Sequence, residues 1–83
     1  MTTEEALIEI SNVRYRKHQQ PIGAICFELM QFTGYTLRQT LNDLNKMRDA
    51  GIVDVKIQKG NTVYYTFTRP IFYLKSENYE QKQ

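Results

Sequence analysis

Apolar positions along this chain change their spacing twice, and each change marks a new element. In the first stretch Leu7, Ile10 and Val13 recur three residues apart, with Arg14 and Lys17 extending the same stripe toward residue 18. That is the period of a helix burying one face. Thr2 and Glu5 have the spacing of a capping box, and Glu4 and Glu5 suit the positive end of the helix dipole. Gln19-Gln20-Pro21 then breaks the pattern, since proline lacks the donor needed inside a helix but fits the first turn of another. The spacing predicts a second helix from about Pro21, with Ile22, Ile25, Cys26, Leu29 and Met30 as its apolar face and Phe32 near its end. Gly34 stands where a left-handed residue would close that helix, and Thr36 can cap a third through its hydroxyl. Leu37, Leu41, Leu44, Met47 and Ala50 give helix 36–50 a stripe to bury, and Gly51 ends it.

After Gly51 the period becomes two. Val53, Val55 and Ile57 alternate with Asp54, Lys56 and Gln58; beyond Lys59-Gly60-Asn61, Val63, Tyr65 and Phe67 alternate with Thr62, Tyr64, Thr66 and Thr68. Two alternating runs around a Gly-Asn tip predict a β-hairpin over 52–68. The expected fold is therefore α+β, three helices followed by a two-stranded hairpin, in a single domain over 1–75 with a polar, disordered tail over 76–83.

Length and cysteine content narrow the setting. An 83-residue chain holds one domain, and its core is marginal unless well packed or shared with a second subunit. Cys26 is the only cysteine and cannot form an internal disulfide, and no signal-peptide pattern opens the chain, which points to the cytoplasm. No apolar stretch approaches the roughly 20 residues that span a bilayer, so no membrane role is expected.

Net charge is only +2, but its distribution is uneven. From Arg14 to Arg69 nine Lys or Arg face four acids, while Glu4, Glu5, Glu9, Glu77 and Glu80 collect at the ends. A basic middle suits a polyanion, although a solvated face can have the same pattern. Arg14, Arg16, Lys17 and His18 lie in the last turns of the first helix, where complementing the negative helix end explains them better than phosphate binding does.

Taken together, Glu28-Leu29, Gly34, Thr36, Thr40, Leu44, Met47, Gly51-Ile52-Val53, Gly60-Asn61 and Tyr65-Thr66-Phe67-Thr68 resemble the winged-helix-turn-helix pattern of small prokaryotic and viral transcription regulators. The resemblance spans about residues 20–68, with Thr33 where the family usually has a leucine and Tyr35 in place of a small or aliphatic turn residue. It implies sequence-specific binding of double-stranded DNA by a repressor-like regulator, with helix 36–50 in the major groove and the hairpin as wing. Side chains off the apolar stripe would then reach the bases: Arg38, Gln39, Asn42, Asn45 and Lys46, preceded by the cap Thr36. Arginine can bond guanine O6 and N7 with two hydrogens, and glutamine or asparagine can do the same for adenine N6 and N7. Lys46 and Arg48 could instead meet phosphate, and Asp43, expected to point outward, would repel it or accept from cytosine. In the wing, Lys56, Lys59 and Asn61 would reach sugar-phosphate or the minor groove. The alternative is a winged-helix protein-interaction module whose charged hairpin only discourages strand pairing.

Catalysis is not expected. One histidine, one cysteine and no paired Cys or His spacing supply neither a nucleophile with its base nor a metal site. Cys26, between Ile25 and Phe27, reads as inert packing, His18 as a helix-end cation, and four glycines form no phosphate-binding loop. No cofactor and no small-molecule ligand is implied. The run Ile71-Phe72-Tyr73-Leu74 must bury itself on the first helix or on a second copy, and a homodimer is the preferred expectation.

Overall fold

The computed structural model describes residues 1–69. The order is α1 (Thr3–His18), α2 (Cys26–Thr33), α3 (Leu37–Asp49), β1 (Val53–Gln58) and β2 (Thr62–Phe67). This is the α+β arrangement expected from the spacing. The expected tail over 76–83 and the apolar run Ile71 to Leu74 lie outside the described residues.

Helix α1 begins where its capping box places it. The Thr2 hydroxyl accepts from the Glu5 amide at 3.2 Å, and the Glu5 carboxylate accepts from the Thr2 amide at 2.8 Å. That backbone bond from Thr2 is the main reason the Glu5 carboxyl titrates below its ordinary range. The buried row is Thr3, Ala6, Leu7 and Ile10, and it runs on into Arg14. Val13 falls beside that row and is 54% exposed, so the expected stripe is corrected there. Ser11 and Asn12 are also buried, and among the described residues the Ser11 hydroxyl and both amide atoms of Asn12 have no hydrogen-bond partner. Their burial opposes folding.

Helix α2 starts at Cys26, five residues later than the proline suggested. The intervening backbone does something else: Ala24 and Tyr65 form an antiparallel bridge, Ala24 N donating to Tyr65 O at 3.0 Å and Tyr65 N to Ala24 O at 2.8 Å. Gly23 makes this approach possible, because a Cβ there would lie 1.8 Å from the Tyr65 carbonyl oxygen. With Ala24 paired to the hairpin, the helix begins only after Ile25, and Ile22 and Ile25 are half-buried rather than parts of a helical face. Gly34 closes α2 in the left-handed region at φ 76°. The turn that follows is polar, the Thr33 hydroxyl accepting from Tyr35 N at 3.1 Å, which gives the threonine a use where a leucine would have packed.

Helix α3 is amphipathic, but its interior row is Thr40, Leu44 and Met47 with Leu41 at the margin. Leu37 is 45% exposed and Ala50 is exposed, so the expected stripe is rotated. Thr40 can occupy the interior because its hydroxyl donates to Thr36 O at 2.9 Å. The hairpin pairs Val53 with Phe67 through Gln58 with Thr62, and turns on Lys59–Asn61 with Gly60 and Asn61 at positive φ. Val53 and Phe67 enter the core with Ala6, Leu7, Ile10, Ala24, Leu29, Leu44 and Met47. Further out the same face leaves the core, and Ile57 is 70% exposed.

Candidate nucleic-acid interface

The third helix is held at its N-terminus by a reciprocal cap. Gln39 N donates to the Thr36 hydroxyl at 3.2 Å, while Thr36 N donates to Gln39 Oε1 at 3.0 Å. Thr36 and Gln39 thus fix where the helix starts and how it is aimed. The Gln39 carbonyl oxygen is engaged in that cap, so two-bond recognition of adenine by Gln39 would require the cap to open.

Arg38, Asn42, Asn45 and Lys46 are all exposed. Helical spacing puts Arg38, Asn42 and Asn45 in one row, with Gln39 and Lys46 beside it and Asp49 at its C-terminal end. A shallow groove bounded by Tyr35, Gln39, Asn42, Asp43 and Lys46 lies along this flank. Asp43 does not point outward as expected. Its carboxylate accepts a hydrogen bond from the Thr3 hydroxyl at 2.6 Å, which ties α3 to the start of α1. Asp43 is thus half-buried beside the row, with its carboxylate engaged.

In the hairpin, Lys56, Gly60 and Asn61 are exposed, with Asn61 in the left-handed region at φ 62°. Lys56 lies opposite Tyr64 in the register, and a groove runs from these two to Gln20, Pro21 and Ile22. Of the expected positions, those on α3 share one surface, and Lys56 and Asn61 belong to the hairpin beyond it.

Sequence reasoning missed the clamp that sets the hairpin's base. The Arg14 guanidinium donates to Gly23 O at 2.7 Å and to Glu28 Oε1 at 2.9 Å, and its other terminal nitrogen bonds Glu28 Oε2. Glu28 Oε1 also accepts from Ile25 N at 3.0 Å and so caps α2. The hydrogen bond to Glu28 raises the Arg14 pKa above its ordinary value. At Glu28, partial burial pushes the carboxyl up, but the bonds from Arg14 and Ile25 outweigh it and the net direction is down. The available signal was Glu28 itself, an acid three residues after Ile25 and one helical register from a break. The place of Arg14 in the last turns of α1 suggests only a helix-end cation. Cys26 has its thiol pKa raised by burial, in keeping with packing.

Among the described residues no group of His, Cys, Asp or Glu could hold a metal ion, and no helix is long and apolar enough to cross a membrane. Comparison of the chain with protein-family models, curated proteins and solved structures finds no match.

Proposed function

We propose that this chain is a cytoplasmic regulator of the winged-helix type, binding double-stranded DNA sequence-specifically as a homodimer and acting like a repressor by occupying its site. The observation that carries the reading is the exposed row Arg38, Asn42 and Asn45 on a rigidly capped helix, with Asp43 turned back to Thr3. Those are side chains able to distinguish guanine and adenine by their groove edges. Lys46, Lys56, Lys59 and Asn61 would supply phosphate or minor-groove contacts, while Thr36 and Gln39 hold the helix in register. No catalysis, cofactor, membrane contact or small-molecule ligand enters this reading.

Selection of bound sequences from a random duplex pool is the direct test. An enriched motif is expected, and Arg38→Ala should then cost about 1–3 kcal/mol on that motif and much less on random duplex. Equal losses on both would remove Arg38 from base reading.

A second reading, a protein-interaction module, is favoured by a different surface. Phe27 is 64% exposed and Phe32 and Val13 are exposed too, with Val13 and Phe32 lining a groove between α1 and α2. Salt separates the two readings: DNA binding weakens steeply as salt rises because phosphate contacts release counterions, whereas an apolar interface does not.

A further inference from the structure

The open edge of β1 is complementary to itself. On its other side β1 pairs with β2, and β2 pairs with the Ala24 segment, so among the described residues nothing pairs with the remaining edge. The bonds fix which groups that edge presents. Thr68 N donates to Ile52 O, and Tyr65 directs both its N–H and its C=O to Ala24. In an antiparallel ladder these roles alternate, so Val53, Val55 and Ile57 aim their N–H and C=O groups away from β2.

We infer that two copies of this chain pair antiparallel through β1, about a two-fold axis at Val55. In that register Val55 exchanges both backbone bonds with its mate, and Ile57 stands opposite the partner's Val53. Asp54 falls opposite Lys56 of the other copy, twice per dimer, at the closely spaced positions where side chains approach best. The neighbouring two-fold registers fail this test, since centring on Asp54 or on Lys56 sets like charges face to face. Centring on Ile57 pairs Lys56 with Gln58 and leaves Asp54 outside the ladder.

Burial fits the same register. Asp54, Lys56 and Ile57 are exposed, and Ile57 is the most exposed of the large apolar residues among those described. Val53 is already buried, so each Ile57 would close over the rim of the partner's core. Exposed lysines on an edge strand ordinarily discourage pairing. Here the symmetric spacing of one acid and one base about Val55 lifts that penalty for a single partner, a second copy in a single register. Because the axis runs perpendicular to the sheet, the helices of both copies lie on the same side of the joined sheet. The interface itself does not depend on DNA binding, and because it engages Lys56, the paired form leaves the phosphate or minor-groove contacts of the hairpin to Lys59 and Asn61.

Sedimentation of the full chain without DNA tests it. The unmodified protein should show reversible dimerisation between tens and hundreds of micromolar. Asp54→Lys and Lys56→Asp should each weaken association about tenfold or more, as two attractive cross-strand pairs become repulsive. An equimolar mixture of the two variants should associate again, because every facing pair is then opposite in sign. The double exchange D54K/K56D should dimerise alone, which keeps the test open if a single variant fails to show a native circular dichroism spectrum. A monomer at several hundred micromolar, single variants that associate as the unmodified chain does, or a mixture no stronger than its components would each overturn the pairing.

Discussion

Replacing Arg14 with Met keeps an apolar stem and deletes the guanidinium that joins α1, the Gly23 carbonyl and Glu28. The ion pair alone is worth little, because its side chains remain 28% and 29% exposed and solvent screens them; about 0–1 kcal/mol is the appropriate range. The carbonyl of Gly23 matters more. It sits in a buried residue, and leaving such an acceptor unpaired costs about 1–3 kcal/mol. The sum is a loss of about 1–4 kcal/mol, and for a domain of this size each kcal/mol lowers the melting temperature by roughly 4–8 °C. Urea unfolding followed by circular dichroism measures it. A cycle with Glu28→Gln and the double variant isolates the coupling, expected near 1 kcal/mol because glutamine keeps an acceptor for Ile25 N. Amide exchange at Ala24 and Tyr65 should accelerate in the Met variant, since the clamp holds the strand that pairs there. A cost under about 0.5 kcal/mol, within the range of ordinary surface substitutions, with unchanged exchange would show that the clamp does not support the bridge.

Three further outcomes follow from the same geometry. Gly23→Ala forces a Cβ against the Tyr65 carbonyl, so the bridge must open, at a cost of about 3 kcal/mol or more by chemical denaturation; a loss below 1 kcal/mol would mean the segment shifts freely. Because the Glu28 pKa is depressed on folding, its stabilisation is fully present above the ordinary glutamate value of about 4.3 and is lost as pH falls through the lower folded value. The melting-temperature gap between the unmodified chain and Glu28→Gln should therefore close below that value, and a pH-independent gap would contradict the linkage. If the proposed DNA reading holds, changing both Lys56 and Lys59 to Ala should flatten the salt dependence of binding by up to about 2 units on all sequences, whereas an unaltered slope would leave the hairpin structural.

Elements were legible in the sequence wherever a local rule sufficed. Thr2 and Glu5, the capping hydroxyl of Thr36, and the glycines at 34 and 51 act within one turn, and each acts in the structure where the spacing put it. Positions governed by distant partners were not legible. Pro21 looks like a helix start until Tyr65 claims Ala24, and Asp43 looks like a surface acid until Thr3, forty residues earlier, donates to it. The rotation of α3 is a further case: Leu37 outranks Thr40 by hydropathy, yet Thr40 is the buried one, its hydroxyl satisfied by donating to Thr36 O, while Leu37 is exposed. The candidate site was half legible for the same reason. The exposed row on α3 follows from periodicity, whereas the commitment of Gln39 to its cap follows from backbone geometry.

The Ala24–Tyr65 bridge also has a kinetic consequence. Each helix, and the hairpin by itself, closes through contacts between near neighbours in the chain, which form fast. The bridge must bring together segments on either side of α2 and α3, and the loop entropy of that closure delays its formation. Contacts made after the rate-limiting step influence unfolding more than folding. Weakening the bridge should therefore steepen neither limb of the chevron but raise the unfolding rate, so that the hairpin peels from the helices before they separate from one another.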